Sequence, residues 1–219
     1  MAKSILTSIF LYFFSNQILM FELKPYQTSY TAKPSGTVIE SLEKVSETSW
    51  KMTSIGKHPL FKIKQESIFR LVKGNVVLES GFRKLDVLGG LRKDHQSYKV
   101  EKKDDKRIVS FSFGKKEGSF EILNDFYDNL TLQIQAKLNF LEKDVIEIDY
   151  LNKGEIKKKI FFKKESEIIY KSKPTEVYEF TEQRKDKRSF SFYIKRNSKN
   201  ETVRVSQGGP GFNINWELD

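Results

Sequence analysis

The sequence has no cysteine, two histidines (His58 and His95) and only five prolines in 219 residues. Without cysteine there is no disulfide, no thiolate metal site and no thiol nucleophile. That absence does not exclude an oxidising compartment, since many periplasmic proteins lack disulfides. The two histidines stand far apart, each in charged or turn surroundings, and read as surface residues rather than metal ligands. The chain also lacks an HExxH pair and a Gly-x-Ser-x-Gly elbow. Gly208-Gly209-Pro210-Gly211 is not a phosphate loop: Pro210 removes a donor, and no Lys-Ser/Thr follows. It reads as a hairpin turn. Asp104-Asp105 and the Asp125/Asp128 pair fit a solvated turn and a helix start, with no partner for acid–base work. No nucleophile–base pair can be named, so the expectation is a protein that is not an enzyme, with no cofactor and no metal.

Long apolar runs are scarce as well. The only one lies at the N-terminus, where Lys3 precedes the run Ile5–Phe14, Ser15-Asn16-Gln17 interrupts, and Ile18–Phe21 follows. A basic start with a short apolar region resembles a secretory signal. It carries no Ala-x-Ala cleavage site and no lipoprotein cysteine. The expectation is a signal peptide over residues 1–21, or an uncleaved membrane anchor, followed by one β-rich domain over 22–219. The implied location is the periplasm.

What is abundant is phenylalanine, 18 residues, and lysine plus arginine, 39 against 29 acidic residues, for a net charge of +10. The aromatics alternate with polar residues. Val109, Phe111 and Phe113 share one face against Ser110 and Ser112, and Phe212, Ile214, Trp216 and Leu218 repeat the pattern against Asn213, Asn215 and Glu217. Phe61, Ile63, Phe69 and Leu71 share a parity with Gln65 and Ser67 between them. Trp50 pairs with Met52, and Val76 and Leu78 with Phe82. Period-2 alternation broken every 8–12 residues by turn chemistry predicts about a dozen strands, in a strongly curved antiparallel sheet or half-open barrel. Leu85–Leu91, with Gly89-Gly90, reads as a loop or bulge. Ile156–Lys164 and Glu167–Tyr170 read as two separate strands.

One stretch departs from this period, Asn124 to Lys143. On a helical wheel Phe126, Tyr127, Leu130, Ile134, Leu138 and Leu141 fall within an arc of roughly 120°, the width of a core-facing stripe. Asp128, Thr131, Gln135 and Asn139 lie opposite, and Lys137 intrudes on the stripe, to snorkel outward. Leu132 and Phe140 sit off it and leave room for a second contact. Asn124 or Asp125 is the expected cap. A helix of this kind covers a sheet face. The sharper alternative is a lid over a cavity, with Phe126, Leu130 and Ile134 as the ligand-binding residues.

The basic clusters, Lys157–Lys159, Lys163-Lys164 and Arg184 to Arg188, are interspersed with acids, and the aromatics do not interleave with arginine. They therefore read as a solvated face rather than a nucleic-acid platform. Weak contact with an anionic membrane surface is the functional alternative.

The order of features resembles a known family. An opening Tyr26-x-x-x-Tyr30-x-Ala32 strand is followed by Gly36, Ser41-Leu42, a Trp50 strand and Ser67-x-Phe69. Asp125-x-x-Asp128-Asn129-Leu130 then opens a helix, and a strand meander closes the chain. From Tyr26 to Leu218 this is similar to the bacterial domain-of-unknown-function family 3108 (DUF3108). The resemblance implies an exported, all-β envelope protein of Gram-negative type and brings no catalytic residues. The functional expectation is a non-enzymatic envelope protein binding an apolar or lipid-like ligand in the concave sheet face. The alternative is a structural or protein-interaction domain of the envelope, its protein partner unknown, with no small-molecule ligand.

Overall fold

The computed structural model describes residues 22–219 apart from 33–34, 187, 198 and 210–211. The expected signal segment therefore lies outside the described residues, as do Pro34, Pro210 and Gly211 of two expected turns.

Two meanders meet in one sheet. The first comprises β1 (Tyr26–Ala32), β2 (Thr37–Lys44), β3 (Ser49–His58), β4 (Phe61–Val72), β5 (Asn75–Val87), β6 (Arg92–Lys103), β7 (Lys106–Phe113) and β8 (Lys116–Ile122). The two-residue β9 (Phe126–Tyr127) leads into helix α1 (Asn129–Gln135), which passes into a π-helical turn, Ala136–Phe140. The second meander is β10 (Val145–Asn152), β11 (Glu155–Tyr170), β12 (Lys173–Glu182), β13 (Ser189–Lys195), β14 (Thr202–Gly209) and β15 (Phe212–Leu218). The strand order is β8 through β1, then β15 down to β9. β1 and β15 join the meanders through Tyr30–Leu218 and Ala32–Trp216 pairings. Every pairing is antiparallel except β9 with β10. The curved, mainly β architecture expected from the alternation is what forms.

The sheet is not closed by strand pairing. Its two ends, β8 and β9, are nonetheless joined by residues 123–125, so the barrel has a seam. Side chains bridge it. Arg107 donates to Asp125 Oδ1 at 2.6 Å, Asn124 to Asp149 at 3.4 Å, and Lys116 pairs with Glu155 at 3.6 Å. Gly154, with φ of 77°, lets the β10–β11 turn press directly against the Phe111 ring.

The helix sits inside the curve. Leu130, Leu132 and Ile134 share one cluster with Leu42, Met52 and Phe69 from the first meander and Phe161, Phe180 and Phe192 from the second. At about 25 cal/mol per Å², burial of these large side chains from both halves is what holds the curved sheet onto its filling.

Several expectations change. The helix is shorter than Asn124–Lys143, because the backbone of Phe126-Tyr127 pairs with Asp149 and Tyr150 before Asp128 caps α1. Lys137 does not reach outward; it is 7% exposed. The polar side of the helix is also buried, at Asp128, Thr131, Gln133 and Gln135. β11 runs unbroken through Lys164-Glu165-Ser166 because β12 pairs with it along its length. The segment after Leu85 stays in the sheet to Val87 before a 3-10 turn at Leu88–Gly90.

The most consequential change is at Phe82. The β4–β5 register shifts between Ile68 and Phe69, so Ile68 faces Ser80 while Phe69 faces Leu78. Glu79 is the extra residue of a β-bulge. Val76 and Leu78 point into the core as expected, but beyond the bulge the parity reverses. Gly81 and Arg83 then join Ser67 and Gln65 on the inner face, and Phe82 points out, beneath the Lys64 amine 5.4 Å from its ring centre.

Candidate functional site

The start of α1 is fixed by one carboxylate. Asp128 Oδ1 accepts hydrogen bonds from the backbone N–H groups of Leu130 (3.1 Å) and Thr131 (2.9 Å) and from the Thr131 hydroxyl (2.8 Å). The Asp128 N–H in turn donates to Thr131 Oγ1 at 3.1 Å, completing a capping box. Its other oxygen, Oδ2, accepts from Tyr98 at 2.7 Å and from Ser67. The Tyr98 ring reaches this oxygen by crossing its sheet neighbour Gly81, where a Cβ would lie 2.5 Å from the tyrosine oxygen. The far end of the helical segment is held to the β4–β5 hairpin. Gln135 Oε1 accepts from the Val76 N–H at 2.7 Å, and Asn139 Nδ2 donates to the Gly74 carbonyl at 2.7 Å. The polar side of the wheel thus faces the sheet at Asp128, Thr131 and Gln135, with Asn139 exposed at its far end.

Above the helix start lies a half-open cleft of about 80 Å³. Its floor is polar: Glu40, Ser54 and Gln65 are direct cross-strand neighbours on β2, β3 and β4, and Gln133 faces them from α1. Its walls are apolar, formed chiefly by Tyr30, Phe61, Phe190 and Trp216, with Leu130 at the helix side. His58 stacks on Phe61 with ring centres 5.1 Å apart and meets Trp216 edge-on at 6.0 Å; its Nδ1 accepts from the Leu60 N–H. His58 is thus a turn histidine at the mouth, while His95 is exposed on β6. Among the described residues no group of three or more His, Asp or Glu side chains could hold a metal ion.

Of the three residues expected to bind ligand, Leu130 lines this cleft. Phe126 and Ile134 are wholly buried, Phe126 against Tyr98 with ring centres 5.7 Å apart. The space around the helix stripe is filled by side chains. Glu40, Gln65 and Gln133 were not singled out as site residues. The signal for Gln65 was its parity, since it shares the inward face with Phe61 and Phe69.

Glu40 is buried, and burial pushes its carboxyl up to about 7, against the downward pull of Lys137 and of the nearby Tyr30 hydroxyl, which itself donates to the Thr202 carbonyl at 3.1 Å. Burial pushes the Lys137 amine down to about 8, against the upward pull of Glu40 and Glu201. The Lys137 amine also sits 5.7 Å from the Tyr26 ring centre. Two ionisable groups thus share the interior beside the cleft.

No protein-family model and no curated protein sequence matches this chain. A solved structure does resemble it: a beta-barrel-like protein of the domain of unknown function DUF1849 from Brucella abortus. The TM-score is 0.56, the sequence identity 10%, and the match covers 91% of this chain and 97% of the other. That likeness is one of fold. A β-barrel-like domain of unknown function is therefore the kind of protein this chain is similar to.

Two outcomes are expected. Asp128→Ala removes a helix cap and leaves the Ser67 and Tyr98 hydroxyls without their acceptor, and should cost roughly 3 kcal/mol in urea denaturation. For Glu40, the folded state keeps its proton between pH 4.5 and about 7, where the unfolded chain has lost it. Stability should therefore fall as pH rises through that window, by on the order of 3 kcal/mol from this group. Glu40→Gln should flatten that slope; an unchanged slope would show that Glu40 titrates normally.

Proposed function

We propose that this protein is a non-enzymatic, exported envelope protein that holds one end of an amphipathic or lipid-like ligand in the cleft at the barrel mouth. The observation that carries the proposal is the cleft itself, an apolar wall of Tyr30, Phe61, Phe190 and Trp216 over a polar floor of Glu40, Ser54, Gln65 and Gln133. A pocket that is mostly apolar with a few placed polar groups is the usual form of a small-molecule site. About 80 Å³ holds only a few waters, or the last few carbons of a chain, at roughly 30 Å³ per water. The rest of the ligand would lie along the mouth. The site is therefore at the N-terminal end of α1, not beneath the Phe126–Ile134 stripe.

The rim supports contact with an anionic membrane surface. Leu60, Leu88 and Leu91 are exposed there, Leu91 at 84%, on two loops joined by the Leu88 N–H donating to the Leu60 carbonyl at 2.7 Å. Leu88 holds this position with φ of 50°, an uncommon conformation for a bulky residue. Beside the leucines, Lys57, Lys62, Asp86 and Lys93 form one cross-strand row. Apolar tips flanked by net positive charge match a lipid interface with anionic headgroups. Placement in the envelope draws on the apolar N-terminal stretch and on the resemblance to family 3108.

A second reading, a structural or interaction domain without a ligand, is favoured by the filled interior: Leu132, Ile134 and Ala136 are fully buried where an open carrier would be hollow. Native mass spectrometry of the protein purified from cell envelopes separates the two. The carrier reading expects a co-purifying amphiphile that is lost in Ser54→Phe, which fills the cleft. A bare protein, together with no cleft-dependent binding of added lipid, would leave the structural reading standing. Flotation with vesicles should recover the protein on anionic and not on neutral membranes, and Leu91→Asp should reduce recovery several-fold.

A further inference from the structure

The bulge at Glu79 has placed Arg83 on the inner face, directly across from Gln65 of the cleft floor. Its Nε is buried and finds no hydrogen-bond partner among the described residues. From the opposite meander, Lys159 turns inward across from Ile148, although it belongs to a lysine run read from the sequence as a solvated face. Its amine lies 3.7 Å from the Tyr150 ring centre and 3.3 Å from Glu182. Arg184 Nε lies 3.0 Å from the same carboxylate. Burial pushes the Lys159 amine down, Glu182 pulls it back up, and Arg184 and Arg83 push it down further. Burial pushes the Tyr150 hydroxyl up to about 12; Arg83 and Arg184 act in the opposite sense, and the Asp128 and Glu182 carboxylates add to the rise.

Lys159 and Arg184 therefore converge on Glu182 in a partly enclosed space, with Asp186 4.0 Å from Arg184 Nη1, and Arg83 adds positive charge from the inner row of the first meander. Like charges gathered away from bulk water are unfavourable unless an anion completes the set. The cluster adjoins the cleft on both flanks. Gln65 is the cross-strand neighbour of Arg83, and Phe190 of the cleft wall meets Phe161, itself paired with Glu182. The lysine and both arginines remain partly exposed.

We propose that Arg83, Lys159 and Arg184 form an oxyanion subsite for the phosphate or carboxylate head of the ligand whose apolar end occupies the cleft. This rests on the reading of the cleft as a ligand site and specifies the ligand's charge. The planar arginine fork suits a two-oxygen acceptor, and an interior free of bulk salt strengthens the contact.

Isothermal titration calorimetry with dodecyl phosphate, dodecyl maltoside and inorganic phosphate tests it, on the wild type, Arg83→Gln, Arg184→Gln and Ser54→Phe, each first checked for native circular dichroism. Dodecyl phosphate should bind at least tenfold more tightly than dodecyl maltoside. Either arginine variant should abolish that preference while leaving maltoside affinity unchanged, and Ser54→Phe should weaken both amphiphiles. Inorganic phosphate binding that is sensitive to Arg83→Gln but not to Ser54→Phe supports the same subsite with a free oxyanion as its ligand. If both amphiphiles bind equally and the arginine variants change neither, the oxyanion subsite is wrong while the cleft survives. If none of the three probes binds the wild type, both fall together.

Discussion

The buried carboxylate of Asp128 is the constraint on which the rest of the molecule depends. A carboxylate away from water is costly unless its lone pairs are filled, and here five donors fill them: two backbone amides and the Thr131 hydroxyl from the helix, Ser67 and Tyr98 from the sheet. These bonds decide where α1 begins and which way it enters the barrel. They also explain neighbours that would otherwise look like packing defects. Ser67 is a small hydroxyl in a row of Leu42 and Met52, and Gly81 is an absent side chain where the Tyr98 ring needs to cross. A helix of only seven residues has little stability of its own, so its hold on the sheet stands in for length.

The interior is consequently layered rather than uniformly apolar. Around and beyond the helix the phenylalanines close on each other, Phe180 on Phe192 with ring centres 4.8 Å apart and nearly parallel. Toward the mouth, one residue pair along each strand, the inner row turns polar through Glu40, Ser54, Gln65 and Arg83. The helix shares this division, with Leu132 and Ile134 in the core and Gln133 toward the cleft. Chemistry and filling are separated along the barrel axis, which is why the cleft lies at one end and not beneath the apolar stripe.

Much of the architecture was legible because alternation survives wherever strands are regular. Trp50 and Met52, Phe190 and Phe192, and Ile214 and Trp216 all face inward as their period dictates. The helix position was legible from its change of period. Its boundaries were not, because Phe126-Tyr127 satisfies both a helical stripe and a strand, and only the pairing with β10 decides between them. Phe82 was misread for a related reason: a bulge at Glu79 leaves no mark in composition yet reverses every parity after it. Lys159 looked like one of three equivalent lysines. Only the register with Ile148 separates it from Lys158, which pairs outside with Glu147 at 3.1 Å and Asp149 at 2.9 Å. One residue of the cleft floor was visible, since Gln65 sits at an inward position where an apolar core would place leucine.

The strand order carries a kinetic consequence. Nearly every pairing joins strands that follow one another in the chain, so each meander can zip from its own hairpins with short loops to close. The β1–β15 line alone brings together segments separated by most of the sequence. The strand order keeps most pairings local and leaves one long-range weld, β1 to β15, to be closed. Until the weld forms, the facing edges of β1 and β15 are bare, and it is at that stage that the chain is most open to pairing with a neighbour instead of with itself.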